Sequence, residues 1–389
     1  MRRVLGFGTY DVASHPRVEV LLEGLRRTPG NEVRELDEPL GLSTADRVAI
    51  LKQPWRLPVL AGRLASRWSR LTAGSRRYRG SHKPDALLVG YMGHFDVLLA
   101  RLLYPRTTII LDHLIFASGT ARDRGEDGVK AKLLSVLDRM ATHCADVVVL
   151  DTAEHAAKLD GAVRDHGVIV PVGAPSAWFT AGEAARTKRT TSGDDDVRNA
   201  DRPLTVVFFG LFTPLQGTPY IAQALRQLAE RGVPVRTLLI GSGQDRAECE
   251  QILADSPAGQ MVQWRDWVDS AELPRVVAEH DVCLGIVGTT DKALDVVPNK
   301  VYQGLAAGCA VVTSDTAPQR RAIGDGAILV PPGDPHALAD ALERLATDPA
   351  ALRAAREHAA AAAEAFVPEQ AVAPLVAALE RAVAAEGDR

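Results

Sequence analysis

The sequence contains no apolar run near the roughly 20 residues that a membrane-spanning helix needs, although it is 389 residues long. Its four cysteines, Cys144, Cys249, Cys283 and Cys309, are far apart and form no CxxC pair. A disulfide scaffold is thereby excluded, and a reduced, cytoplasmic protein is expected. The start, Met1-Arg-Arg-Val-Leu-Gly-Phe-Gly8, is too briefly apolar for a signal peptide and reads as a first strand. No serine-centred nucleophile elbow occurs, and no His/Cys group has metal-ligand spacing. Asp194-Asp-Asp196 looks like an Asp-x-Asp metal motif, but it lies in a polar stretch with no strand before it. No metal site is expected. Lysine is scarce, eight against 37 arginines. With the abundant alanine, that bias suggests a GC-rich bacterial origin. A formal net charge of −4 argues against a whole-protein nucleic-acid binder.

What is present is strand–helix alternation, twice over. Strand candidates in the first half are 3–7, 33–35, 86–89, 108–111, 147–150 and 167–169. In the second half they are 204–209, 236–240, 261–264, 282–285, 310–313 and 327–330. Helical periodicity lies between them, for example over 218–231 and 245–254. The alternation predicts an α/β protein with two Rossmann-like, doubly wound domains. The expected domains are 1–178, a flexible linker over 179–203, a second domain over 204–365, and a C-terminal helix over 366–389 that packs back on the first. The linker is read from Thr180–Pro203, which is polar and has no apolar period.

The segment from Arg47 to Pro84 has ten Arg or Lys and no Asp or Glu, with Trp55, Leu60, Leu64, Trp68 and Leu71 interleaved at near-helical spacing. It reads as a basic helix with an apolar core face. The same surface suits peripheral contact with anionic lipid or a polyanionic acceptor.

In doubly wound domains ligands bind at the C-terminal ends of strands. Three strand-end loops of the second half stand out. Phe208-Phe-Gly210-Leu-Phe-Thr-Pro-Leu-Gln216-Gly217 runs from a strand through a glycine loop to a helix start, where backbone can approach a phosphate. Gly241-Ser-Gly243 is a small-residue turn that either admits a nucleobase or simply turns the chain. Trp267 and Val268 follow on the next loop; the indole either walls off a base or packs in the core. The third segment runs from Gly288 to Gly308. Pro298 suits a first helical turn and Gly308 a helix end, which predicts a helix from about 298 to 307 with Asp295 just before it. Lys292 and Lys300 flank that N-terminus, a natural diphosphate site. Asp295, Val297, Asn299 and Gln303 complete the set, with Asp295 and Gln303 able to bond sugar and ribose hydroxyls.

In order and spacing these segments resemble the retaining glycosyltransferases of family 4, which have the GT-B fold, two Rossmann-like domains facing across a cleft. The resemblance covers the whole second domain and, more loosely, the first. It is carried by Gly210…Gly217, Gly241-Ser-Gly243, Asp295-x7-Gln303 before Ala307-Gly308, and Ala327-Ile-Leu-Val-Pro-Pro-Gly-Asp334 with the Leu338-Ala-Asp-Ala-Leu that follows. The family's phosphate-binding Arg and Lys fall on Leu211 and Gln216, and its two glutamates on Asp295 and Gln303. Lys292 and Lys300 are therefore expected to supply the missing charge. Arg17, after the Gly6-Phe-Gly8-Thr9 loop, is expected to help from the first domain. The resemblance implies a nucleoside-diphosphate sugar as co-substrate, no cofactor or metal, and transfer with retention. It also implies that the first domain binds the acceptor and lends a histidine near the donor sugar. His113 is that candidate, with Asp112 orienting it or taking the role itself. Tyr91 and His94 end the preceding strand, and Arg122 and Arg124 lie in a charged loop; these four are the acceptor-side candidates. The acceptor is a glycan, a lipid-linked molecule or a small molecule, and the expected place is the cytoplasm, at the inner face of the membrane if 47–84 docks there. The alternatives are a nucleotide-sugar epimerase and a non-catalytic partner that keeps the fold.

Overall fold

The computed structural model describes residues 1–12, 16–41, 57–114, 116, 128–192, 202–254 and 256–387. They form two compact units, Met1–Pro171 with Pro368–Arg389, and Val172–Val367. Each holds one six-stranded sheet in which every pairing is parallel.

The first sheet contains β1 (Arg2–Gly8), β2 (Asn31–Asp37), β3 (Ala86–Val89), β4 (Thr108–Asp112), β5 (Val147–Leu150) and β6 (Gly167–Ile169), in the order β2-β1-β3-β4-β5-β6. The second contains β7 (Leu204–Phe209), β8 (Val235–Ile240), β9 (Val262–Arg265), β10 (Val282–Leu284), β11 (Ala310–Ser314) and β12 (Ile328–Val330), in the order β12-β11-β10-β7-β8-β9. All twelve strands expected from sequence exist. Central strands such as Ala86–Val89 and Val147–Leu150 are buried at every residue, as a parallel sheet covered on both faces requires. The chain reverses direction across the sheet between β1 and β3 in the first unit and between β7 and β10 in the second. These are the two topological switch points, where loops diverge and leave a crevice.

The helix Thr218–Glu230 illustrates how the layers close. Ile221, Ala222, Leu225 and Leu228 are all buried on one side and join the core with Leu204, Val206, Phe208 and Leu239. In the first unit the tail helix Ala373–Gly387 supplies Leu375 and Leu379 to a core shared with Val4, Leu21 and Ile110. Pro368 packs so closely on Gly24 that a Cβ there would lie 2.2 Å from the Pro368 carbonyl oxygen.

Two sequence expectations are corrected. The stretch 179–203 is not a linker throughout, because Ser176–Ser192 is one helix. Its threonines are accommodated despite their polarity: Thr180, Thr187, Thr190 and Thr191 each satisfy the hydroxyl by donating to the carbonyl four residues earlier. Its contact face is short, combining the buried Trp178, stacked on Phe209 with ring centroids 5.6 Å apart, with Gly182 against the backbone of Ala306 and Ala307. Arg189 adds a bond to the Gly308 carbonyl at 3.3 Å. The helix therefore belongs to the second unit, which begins at Val172. The second correction concerns Asp295. It ends a short helix, Asp291–Asp295, and extended backbone at Val296 and Pro298 separates it from the next helix, Asn299–Ala306.

Candidate functional site

The second unit's switch point is built from glycine-rich backbone in mutual contact. A Cβ on Gly241 would lie 1.9 Å from the Gly210 carbonyl oxygen, so the loops after β7 and β8 touch only because Gly241 has no side chain. A Cβ on Gly217 would meet the Gly288 nitrogen at 2.5 Å, which ties the β7 loop to the one after β10. The Val287 amide donates to the Gln216 carbonyl at 3.1 Å across the same seam. Gly243 lies against the Phe212 backbone.

Lys300 enters this seam from the first turn of Asn299–Ala306. Its residue is buried, and its ammonium donates to Gln216 Oε1. It also sits 3.8 Å from the Phe208 ring centroid and would be 2.9 Å from a Cβ on Gly210. Three residues singled out separately in the sequence, Gly210, Gln216 and Lys300, thus meet at one point. Burial pulls the Lys300 amine down to about 7, opposed only weakly by Cys283. Gln303, one turn along the same helix, is buried at 6% exposure. Val297 is buried and Asn299 half-buried. Lys292 and Asp295 are half-buried on the short helix Asp291–Asp295.

Trp267 is 72% exposed, so it is not a core tryptophan; Val268 beside it is half-buried. Arg246 was not legible as a site residue. Its guanidinium stacks 3.8 Å from the Trp264 ring centroid and donates to the Gly241 carbonyl at 2.7 Å, which places a cation at the Gly241–Gly243 turn.

The first unit differs from expectation at several positions. Arg17 is 1% exposed and is engaged within the first unit. Its Nε donates to Asp112 Oδ1 at 2.6 Å and its Nη1 to the Val170 carbonyl at 3.2 Å. A carboxylate buried at the end of β4 needs a counter-charge, and Arg17 supplies it. Burial raises the Asp112 carboxyl, against the lowering effect of Arg17. Asp112 is therefore held in a buried ion pair and not poised over a reacting group. Thr9 is likewise engaged: its amide and hydroxyl both donate to Asp96 Oδ2, at 2.7 and 2.8 Å. Gly8 lies against the same carboxylate. Tyr91 is half-buried. Arg122 and Arg124 lie outside the described residues.

His113 is 1% exposed, so it does not offer a ring edge on the surface. It packs edge-on to His94 and Phe116, with ring centroids at 5.0 and 4.6 Å. Burial, with His94 beside it, holds its imidazole neutral, down to about 3. His94 Nε2 lies 3.0 Å from Asp138 Oδ1. One candidate ligand atom from each of His94, His113 and Asp138 falls within 4.8 Å of the others. These residues are far apart in the chain, so no metal-ligand spacing marks them in the sequence.

Residues 203–348 match the family described as "Glycosyl transferases group 1". No curated protein matches the sequence. Solved structures match the fold over nearly the whole chain. Sucrose-phosphate synthase from Thermosynechococcus elongatus is 15% identical, with a TM-score of 0.68 over 99% of this chain and 100% of that one. HepE from Anabaena in complex with UDP is 13% identical, with a TM-score of 0.63 over 100% of both. The UDP-forming trehalose-phosphate synthase from Burkholderia xenovorans is 13% identical, with a TM-score of 0.66 over 98% of this chain and 100% of that one. The fold is GT-B. Match and fold point the same way, to a glycosyltransferase.

Proposed function

We propose that this chain transfers a sugar from a nucleoside-diphosphate sugar to an acceptor hydroxyl, with retention of anomeric configuration and without a metal ion at the diphosphate. The observation that carries the reading is the Lys300 ammonium, buried where Gly210 and Gln216 meet. At the position where the resembled family has a lysine this chain has Gln216, and the charge is returned to that spot by Lys300 from a different element. The first turn of Asn299–Ala306 adds backbone N–H groups without intrahelical acceptors. Together they suit a diphosphate. HepE is solved with UDP and with UDP-glucose, which makes a uridine donor the first to test.

In the proposed reaction the acceptor oxygen bonds to the anomeric carbon as its bond to the diphosphate oxygen breaks. A leaving phosphate oxygen takes the acceptor's proton on the same face. Lys300 and the helix N-terminus stabilise the departing charge, which is preorganised electrostatic catalysis. Asp295 and Gln303 are assigned to sugar and ribose hydroxyls, and Trp267 to the base. Asp112 keeps its place in the reading only as a positioning group through Arg17. The strand-end loops of the first unit take the acceptor.

Among the described residues no helix is long and apolar enough to cross a membrane. The reading places the chain in the cytoplasm, with the helix Leu57–Ser75 toward an anionic membrane face. Trp68 and Leu71 of that helix face the core, and Arg63 and Arg70 face out. Calorimetric titration with UDP, GDP and ADP, followed by donor-consumption assays with the matching sugar nucleotides, tests the function. Binding of one of them together with product of unchanged anomeric configuration supports it. Binding without any turnover contradicts it.

A further inference from the structure

We propose that His94, His113 and Asp138 form a binding site for one divalent transition-metal ion, zinc by the chemistry of its ligands. Each residue is buried, at 7%, 1% and 4% exposure. Each comes from a different element. His94 follows β3, turned inward by the Gly90–Gly93 turn, in which Met92 takes a left-handed φ of 59°. His113 follows β4, its amide donating to the Val149 carbonyl at 2.9 Å. Asp138 projects from the helix Val129–His143. The three converge at the strand C-terminal edge of the first sheet, the edge at which such units take ligands.

The decisive observation is His113. Neither of its ring nitrogens has a hydrogen-bond partner among the described residues, and both are fully buried. A neutral imidazole carries one N–H and one lone pair, and burying either unpaired is costly. A metal ion bonded to the lone pair removes half of that deficit. The set of two imidazoles and one carboxylate is a common zinc donor set, with bonds of about 2.0–2.2 Å that place neighbouring ligand atoms roughly 3.3 Å apart. His94 Nε2 and Asp138 Oδ1 stand 3.0 Å apart, so an ion would take the place of the proton they share. With all three ligand atoms within 4.8 Å, closing the third side needs a side-chain adjustment on the order of 1 Å. Three protein ligands leave one position for water. No step of the donor chemistry above runs through this ion, so the two readings fail independently.

The test uses the full-length, untagged chain, stripped with a chelator and desalted. It is loaded with zinc chloride and, separately, cobalt(II) chloride. The expected result is one zinc per chain by elemental analysis after desalting, a rise in melting temperature, and the visible absorption bands of low-coordinate cobalt. Substoichiometric metal with an unchanged melting temperature would overturn the proposal. His113→Ala should lose the bound metal; zinc retained at one equivalent by that variant would place it on other histidines and overturn the proposal. Should His113→Ala fail to fold, Asp138→Asn serves, because an amide can still bond His94. It should bind zinc at least tenfold more weakly, and an unchanged affinity would overturn the assignment.

Discussion

Replacing Lys300 with methionine should stabilise the free protein and cripple donor binding at the same time. The amine is held at about 7 against 10.5 for an ordinary lysine, with burial as the largest cause. That gap corresponds to roughly 5 kcal/mol of destabilisation when the folded chain must carry the proton. Two contacts favour the ammonium: the Phe208 ring, worth about 2 kcal/mol when desolvated, and Gln216 Oε1, worth about 1 kcal/mol. Removing the charge without leaving a void should therefore gain on the order of 2 kcal/mol below pH 7, consistent with the frequent gain when buried charges become apolar. The pH dependence has a fixed sign. Below pH 7 folded and unfolded chains both hold the proton, and the penalty is complete. Between about 7 and 10.5 the unfolded chain keeps a proton that the folded chain has shed, so this group's contribution to stability rises with pH. The gain from Lys300→Met should thus shrink above pH 7. Thermal denaturation of both proteins from pH 6 to 9 reads this, and calorimetry with the bound nucleoside diphosphate reads affinity. A loss of roughly 2–3 kcal/mol in binding is expected from the missing charge-assisted bond. A variant that is less stable at pH 6.5 and binds the diphosphate as well as the wild type would refute the reasoning.

Other consequences are as specific. Arg17→Met leaves Asp112 buried without a counter-charge and should cost about 3–5 kcal/mol; adding Asp112→Leu should recover part of it in urea denaturation. Gly241→Ala forces a Cβ to within 1.9 Å of the Gly210 carbonyl oxygen, so the β7 loop must move, and diphosphate affinity should fall at least tenfold in calorimetry. Trp267→Ala should leave stability within about 0.5 kcal/mol, as its site is exposed. If the indole stacks on the base, affinity should fall by about 1–3 kcal/mol, with less loss for ribose 5-diphosphate than for the nucleotide. Sedimentation with anionic vesicles should pull down the wild type but not a variant with Arg63 and Arg70 both changed to Glu, at low salt.

The sheets were legible because their strands are short, continuous apolar runs, buried at every residue in cases such as Val147–Leu150. The helix Ser176–Ser192 was not, because beyond a single buried Trp178 it packs through Gly182 and Arg189 and carries no continuous apolar stripe. In the second unit, glycines and the lysine-flanked helix announced themselves by spacing, and the fold brought Gly210, Gln216 and Lys300 together. Spacing could not reveal that Lys300 is buried on Phe208, nor that Arg246 reaches the Gly241 turn. In the first unit a cation near a glycine loop suggests a phosphate ligand, yet Arg17 neutralises a carboxylate 95 residues away in sequence. The grouping of His94 and His113 with Asp138 likewise depends on three elements meeting at a sheet edge.

The most direct test of the central claim is calorimetric titration of the wild-type chain with UDP at pH 7.5, in two buffers of different ionisation enthalpy. The account predicts one site per chain and uptake of about 0.5–0.8 proton, because the diphosphate restores the proton that burial removes from Lys300. The uptake should vanish in Lys300→Met. Failure of UDP and of every other nucleoside diphosphate to bind at millimolar concentration would contradict the account, as would binding with no proton uptake.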